Sequence, residues 1–372
     1  MKIAGKPMRS IWIEPDGTSV GIIDQTLLPH RFETLRLTSL EDAAHAIATM
    51  QARGAPLIGA VAAYGICLAL RADASDENLE RACALLLATR PTAINLKWAL
   101  DEMVAAIRNQ AREQRIAAAY RRAAQICEED VAINQAIGRH GLKLIEDIAA
   151  TKNKNERVNV LTHCNAGWLA TVDWGTATAP VYMAHDKGIA IHVWVDETRP
   201  RNQGALTAFE LGQHGVPHSV IADNAGGHLM QRKLVDLVLV GTDRVSAQGD
   251  VGNKIGTYLK ALAARDNNVP FYAAAPSPSI DFSASNSDAI PIEQRPGEEV
   301  ATVTGRAADG RIEKVRIVPD ESPVANYAFD VTPARLVSGL ITERGVIAAN
   351  RAALATAFPE RAGHAPRRTA AE

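Results

Sequence analysis

The apolar positions of the chain keep two different rhythms, helical in the first part and mixed in the second. Residues 9–36 read as a short antiparallel sheet. Ser10–Glu14 and Ser19–Asp24 are strand-like, and Pro15-Asp16-Gly17 between them is a turn signal. Ser39 followed by Asp42 predicts a capping box, opening a helix that runs to about Gln51. Pro56 suits the first turn of the next helix, PLIGAVAAYGICLALRA, which is apolar nearly all round and therefore predicted to be buried. Leu96, Leu100, Met103, Val104 and Ile107 form a further helical stripe, and residues 113–149 continue the helical pattern.

Near residue 157 the rhythm changes. Short apolar runs stand at Val158–Thr162, Ile189–Val195, Ser219–Ala222, Leu237–Val240 and Phe271–Ala275, with segments of helical length between them. Strands that are apolar on both faces and alternate with helices predict a parallel sheet covered on both sides, with its ligand at the carboxyl ends of the strands. The chain is thus read as α/β. A mainly helical domain with a small antiparallel sheet occupies 1–150, a parallel-sheet domain 151–360, and a disordered tail 361–372.

Composition narrows the function without naming it. Apolar residues make up 47% and charged residues 22%, and the formal charge is −2, so no global charge points to nucleic acid or an anionic membrane. An anionic ligand must be held by a local cluster of donors. Cys67, Cys83, Cys127 and Cys164 form no C-x-x-C pair, which argues against a zinc knuckle or redox dithiol and suits a reducing compartment. The first residues lack the apolar core of a signal peptide, and no run approaches the roughly 18 apolar residues of a membrane span. A cytoplasmic protein is expected.

The polar residues at the predicted strand ends are the candidates for chemistry. Cys164 follows the first strand in Thr162-His163-Cys164-Asn165-Ala166-Gly167, placed to act as base or nucleophile, or simply to pack as a small apolar residue. His163 is its neighbour but faces the other way along a strand, so a Cys–His pair is not expected. Arg199 and Arg201, after the second strand, suit either phosphate or a structural network with Asp196 and Glu197. Asp243 leaves the apolar run Leu237–Val240, a setting that suits a general acid; the plainer readings are a helix cap or an ion pair with Arg244. Gly249–Thr257 looks like a phosphate loop opening a helix, although the Walker spacing is absent, as is any G-x-G-x-x-G after a strand. Arg53-Gly54-Ala55-Pro56 and Arg90-Pro91-Thr92-Ala93 each join a guanidinium to the free N–H groups of a helix start, an arrangement that binds phosphate or is an ordinary helix entry.

Taken in order, these segments resemble the methylthioribose-1-phosphate isomerase family. The matching pieces are RGAPLIG (53–59), RPTAINL (90–96), THCNAG (162–167), DETRPRNQGA (196–205), GTDRV (241–245), GDVGNKIGT (249–257), IPIEQRPGEEV (290–300) and AFDVTPA (328–334). The resemblance implies an aldose–ketose isomerase of methionine salvage that converts 5-methylthioribose 1-phosphate to 5-methylthioribulose 1-phosphate. It also implies a helical N-terminal and a Rossmann-like C-terminal domain, a homodimer, and no metal or other cofactor. Carried over residue by residue, Cys164 and Asp243 become the catalytic pair, and Arg53, Gly54, Ala55, Arg90, Gln203, Asn253 and Lys254 bind substrate. Trp168 replaces the small residue usual after this motif and is expected to reshape the pocket beside Cys164 around C5 of the sugar. A sibling isomerase for 5-deoxyribose 1-phosphate or ribose 1,5-bisphosphate would keep the pair and differ at C5. A rival of another class is a regulatory subunit of the eukaryotic translation-initiation guanine-nucleotide exchange factor, which shares the fold but only binds.

Overall fold

A computed structural model describes residues 1–154 and 156–362; most of the predicted tail, residues 363–372, lies outside the described residues, and 361–362 end a short helix. Strands β1 (Ile11–Ile13), β2 (Val20–Ile23) and β3 (Thr34–Leu37) form the antiparallel sheet foreseen around the Pro15–Gly17 turn. Helix α1 (Leu40–Ala48) opens on the capping box: Ser39 Oγ accepts the Asp42 N–H at 3.1 Å and the Asp42 carboxylate accepts the Ser39 N–H at 3.0 Å.

Helix α2 (Ala55–Ala72) is the axis of this half, with α1, α3 (Asp76–Thr89), α4 (Ile94–Ile107) and α5 (Arg112–Ala150) packed around it. By length and composition α2 could cross a membrane, contrary to the expectation that no run comes close. It is 78% buried among the other helices, which accounts for the all-round apolar sequence. Each large side chain that it hides, such as Leu57, Ile66 or Leu70, contributes about 2 kcal/mol of burial.

The second half holds β4 (Val158–Thr162), β5 (Ile191–Asp196), β6 (His218–Ile221), β7 (Leu237–Val240), β8 (Arg244–Ser246), β9 (Val251–Lys254), β10 (Phe271–Ala274), β11 (Ile280–Asp281), β12 (Phe329–Thr332), β13 (Gly339–Thr342) and β14 (Gly345–Ile347). Seven of these make one sheet in the order β14-β13-β10-β7-β4-β5-β6, parallel throughout except for the antiparallel edge strand β14. Helices α6 (Ala179–Asp186), α7 (Gly204–His214), α8 (Ala225–Gln231) and α9 (Thr257–Asp266) connect the strands, and a separate apolar core lies on each face. The five predicted apolar runs are all strands of this sheet. A second sheet, ordered β11-β8-β9-β12, was not foreseen, because its strands read RVS, VGNK and FDVT and lack an apolar rhythm.

Two features place the site. The chain runs from β4 outward through β5 and β6, then returns to the other side of β4 with β7, so the switch point lies between β4 and β7. Crevices at such points, beyond the carboxyl ends of the strands, are where open α/β sheets bind ligands. The other feature is α5, which belongs to both cores: Ile126, Cys127 and Val131 lie in the helical core, and Ile137 and Ile145 in the core on one sheet face. Gly138 and Gly141 let α6 approach it, since a Cβ at either would meet Met183 Cε at 2.6 Å or Pro180 Cγ at 2.4 Å. The helical half is thereby anchored on one face of the sheet.

Candidate active site

The two residues that flank the switch point are Cys164, after β4, and Asp243, after β7. Gly241 lets their loops meet, because a Cβ there would lie 2.5 Å from that of Ala166. Cys164 is buried with a φ of 69°, a left-handed conformation that a non-glycine residue adopts only when its surroundings hold it. They do so with two bonds: its N–H donates to Thr198 Oγ1 at 2.8 Å and its carbonyl accepts from Thr207 Oγ1 at 2.9 Å. Such enforced backbone is found preferentially at functional sites.

Neither plain reading of Asp243 fits. It precedes a strand rather than a helix, and Arg244 donates instead to Asp281 at 3.2 Å and to the Thr92 carbonyl at 2.6 Å. Among the described residues no donor pairs with the Asp243 carboxylate, which lines a cleft shared with Cys164.

The helical half closes this cleft with cations. Arg53, Gly54 and Ala55 lie at the start of α2, and Arg90 just ahead of α4. Gly54 has a φ of 96°, and a Cβ there would stand 2.3 Å from the Ala170 carbonyl oxygen, so only glycine brings the α2 N-terminus this close to the β4 loop. Arg53 donates to Asn165 Oδ1 at 2.8 Å. From the sheet half come Gln203, Asn253 and Lys254, so all nine residues named from the sequence line one cleft. The side-chain carbonyl of Gln203 is buried and has no partner among the described residues, an acceptor available to a hydroxyl.

Electrostatics sharpen the arrangement. Burial draws the pKa of Arg53 and of Arg90 below the usual arginine value, and Arg295 adds repulsion at Arg90. Burial pulls the Lys254 ammonium down to about 8, with Arg295 and Arg53 pushing the same way and Cys164 opposing. Burial pushes the Cys164 thiol up, against the pull of Arg53 and Lys254. Cations crowded and desolvated in this way strongly favour an anionic ligand.

Several expectations change. The run Gly249–Thr257 does not open its helix onto an anion site: Asn253 and Lys254 line the cleft from strand β9, while the N-terminus of α9 is closed by Asp330, whose carboxylate accepts the Gly256 and Tyr258 N–H groups at 2.7 and 3.1 Å. Arg199 serves structure, donating to the carbonyls of Pro200, Val300 and Thr302, and Arg201 pairs with Glu299 at 2.8 Å. Trp168 leaves the pocket unshaped, because its ring is 1% exposed and belongs to the core under the sheet. His163 faces away from Cys164, as expected, bonding to Asp196 at 2.9 Å and to the Ile255 carbonyl at 2.8 Å. His163, Asp196 and Asp223 together could hold a metal, but the Lys260 ammonium already supplies the cation, 3.1 Å from Asp196 and donating to the Asp223 carbonyl.

Sequence reasoning missed three residues. Arg295 lines the cleft. Asn165 carries Arg53 and also donates to Thr207 at 3.2 Å. Behind them Glu210 is fully buried, accepting the Leu169 N–H at 2.6 Å, the Tyr182 hydroxyl at 3.3 Å and a bond from Asn165; burial pushes its carboxyl up to about 7. Gly167 makes the room for it, since a Cβ there would lie 1.5 Å from Glu210 Oε2. The Gly167 of the quoted motif was thus the available signal for a buried neighbour.

Residues 51–349 match the model of the initiation factor 2 subunit family. The methylthioribose-1-phosphate isomerase of Methylocella silvestris is 65% identical over 363 residues, covering 97% of this chain and 99% of that protein. That of Rhodospirillum centenum is 62% identical over 373 residues, covering 100% and 99%. The crystal structure of 5-methylthioribose 1-phosphate isomerase from Pyrococcus horikoshii OT3 superposes with a TM-score of 0.81 at 39% identity, covering 95% of this chain and 97% of that one. A structure from A. fulgidus, described as translation initiation factor eIF-2B subunit delta, superposes with a TM-score of 0.78 at 37% identity, covering 95% and 100%.

Proposed function

The chain belongs to the methylthioribose-1-phosphate isomerases of the initiation factor 2 subunit family, and from that premise we propose how its cleft works. The protein is an aldose–ketose isomerase that converts 5-methylthioribose 1-phosphate to 5-methylthioribulose 1-phosphate in methionine salvage. In our reading Asp243 is the general acid, Cys164 stabilises the reacting carbons, and Arg53, Gly54, Ala55, Arg90, Gln203, Asn253 and Lys254 hold the substrate. We further read the 1–150 and 151–360 segments as its two domains and the working form as a cytoplasmic homodimer, on the strength of the family pattern. The observation that carries the catalytic assignment is the thiol and the carboxyl on the two sides of one switch point, beside a buried cluster of cations. A subunit that only binds has no physical need for that pair. Met50, Ile58, Ile290, Pro291 and Phe329 add apolar surface to the lining, which suits a methylthio group.

The chemistry follows from the substrate. Its anomeric oxygen carries phosphate, so the ring cannot open to a free aldehyde. Asp243 protonates the ring oxygen as the bond from C1 to that oxygen breaks, leaving electron demand at C1. The hydrogen on C2 moves to C1 with its electron pair, the 2-hydroxyl gives up its proton, and the ketone forms at C2; no proton is consumed overall. A Cys164 thiol pushed up by burial fits this hydride route better than removal of the C2 hydrogen as a proton by a thiolate. Fixed cations on the phosphate hold the geometry.

Turnover in deuterated water, followed by proton NMR, tests both parts. Wild type should yield ketose without solvent deuterium at C1, and deuterium appearing there would replace the hydride route with an enol-phosphate one. Asp243→Asn and Cys164→Ser should each lower kcat by about a thousandfold or more. A folded wild type inactive on this sugar, or an Asp243→Asn variant near full rate, would overturn the reading.

A further inference from the structure

Arg295 comes from the segment joining the second sheet to the rim of the cleft, and the backbone fixes it there. Gln294 bridges to Tyr327, the Arg295 N–H donates to the Asn326 carbonyl at 3.0 Å, and the Ala328 N–H donates to the Glu293 carbonyl at 3.0 Å. Its side chain is only 6% exposed, and Glu293 faces it with a carboxylate at 3.2 Å. The same carboxylate oxygen stands 3.5 Å from Arg90, so two guanidiniums share one negative charge. Among the described residues, the buried Nε–H groups of both arginines have no hydrogen-bond partner. Buried donors of this kind normally find an acceptor. Beyond them, the guanidinium of Arg295 lies 5.4 Å from the centre of the Phe329 ring, and the Lys254 ammonium 4.5 Å from the centre of the same ring. Phe329 therefore sets Arg295 beside Lys254, just as Glu293 sets it beside Arg90.

We propose that Arg295 is a further substrate-binding residue of this cleft, completing with Arg90 and Lys254 the set of cations that grips the sugar phosphate, and that Glu293 is the positioning residue that aligns the two arginines. Glu293 and Asp243 face the four cations Arg53, Arg90, Lys254 and Arg295, which leaves this part of the cleft short of anionic charge. A phosphate monoester, with about two negative charges and three acceptor oxygens at neutral pH, supplies both the charge and the acceptors. Arginine, unlike lysine, offers a planar fork that can stay on Glu293 while presenting its other N–H groups to an oxygen. The inference rests on the isomerase reading for its substrate but not for its ligand chemistry, since inorganic phosphate is the minimal ligand of the same donors.

The test measures inorganic phosphate binding by calorimetry, and KM and kcat for 5-methylthioribose 1-phosphate, in wild type, Arg295→Ala, Arg295→Lys and Glu293→Gln. Arg295→Ala should weaken phosphate binding and raise KM in parallel by about tenfold or more, with a smaller change in kcat. Arg295→Lys should recover part of the loss, and Glu293→Gln should raise KM by about threefold to tenfold. If Arg295→Ala keeps its phosphate affinity within twofold while losing activity or melting temperature, the residue is structural and the proposal is overturned. Should Arg295→Ala fail to fold, Arg295→Lys and Arg295→Gln at retained circular dichroism decide by the same comparison. A wild type that binds phosphate but does not turn over the sugar would refute the isomerase reading, and the phosphate affinities of the variants would still judge Arg295.

Discussion

Two helix starts in this molecule look alike in sequence and have opposite fates. Helix α2 opens on Arg53-Gly54-Ala55-Pro56 and α9 on Lys254-Ile255-Gly256-Thr257, each a cation and a glycine ahead of an N-terminus. At α9 the orphan N–H groups of Gly256 and Tyr258 meet the Asp330 carboxylate, and Lys254 turns back to the Ala328 carbonyl and the Phe329 face. At α2 no side chain among the described residues caps the helix, and the start opens instead onto the cleft beside Arg53 and Arg90. The favourable potential of a helix N-terminus is common to both. What separates a binding site from an ordinary cap is whether the fold has already engaged those donors with an anion of its own.

The largest effect should come from breaking the open end. Gly54→Ala forces a side chain into a φ of 96° and puts Cβ 2.3 Å from backbone oxygen of Ala170, which cannot move like a side-chain tip. We expect a stability loss of about 2–4 kcal/mol and a fall in kcat/KM of about a hundredfold or more, because the α2 start withdraws from the substrate. Thermal melts and steady-state kinetics check it, and a variant with unchanged KM would mean that α2 does not touch substrate. The closed end should respond differently. Asp330→Ala uncaps α9 and should cost about 1–2 kcal/mol of stability while KM stays within about threefold. A KM shift as large as that of Gly54→Ala would show the two ends to be functionally alike after all.

Much of this was legible in the sequence, and the reasons are specific. Helices α1, α2 and α4 and the strands β4, β5, β6, β7 and β10 stand out as apolar runs, and Cys164 and Asp243 stand just after two of those strands, where an α/β sheet places ligands. The start of α9 is ambiguous in sequence because Gly, Lys and a following helix describe a phosphate loop and a capped helix equally well; only Asp330, 74 residues from Gly256 on another strand, decides that this helix end is capped. Trp168 was misplaced because sequence adjacency to Cys164 says nothing of which way a ring turns after a tight loop. Arg295 stands inside the run IPIEQRPGEEV and Glu210 behind Gly167, yet the role of each depends on partners distant in sequence, Arg90 and Phe329 for the one, Asn165 and Leu169 for the other.

The finest contrast between the two ends lies in their carboxyls. Asp330 meets its helix directly, whereas Glu210 stands one residue behind Arg53, bonded to Asn165, with burial holding it up to about 7 from an ordinary 4.5. A folded-state value above the unfolded one means that the native protein holds this proton more tightly. The stability it brings is complete below pH 4.5 and is lost as pH rises through about 7. Across that window the full linkage amounts to about 3 kcal/mol at most. Glu210→Gln removes the titration, so its melting temperature should fall less than that of wild type between pH 5 and pH 8, by a few degrees. Part of the slope should survive, because burial also pushes Asp130, on α5, up to about 7. Glu210→Gln with Asp130→Asn should flatten it further. Parallel curves for wild type and Glu210→Gln would mean that Glu210 is already ionised in the native protein, and a charged carboxylate would then lie behind Arg53 as one lies ahead of α9.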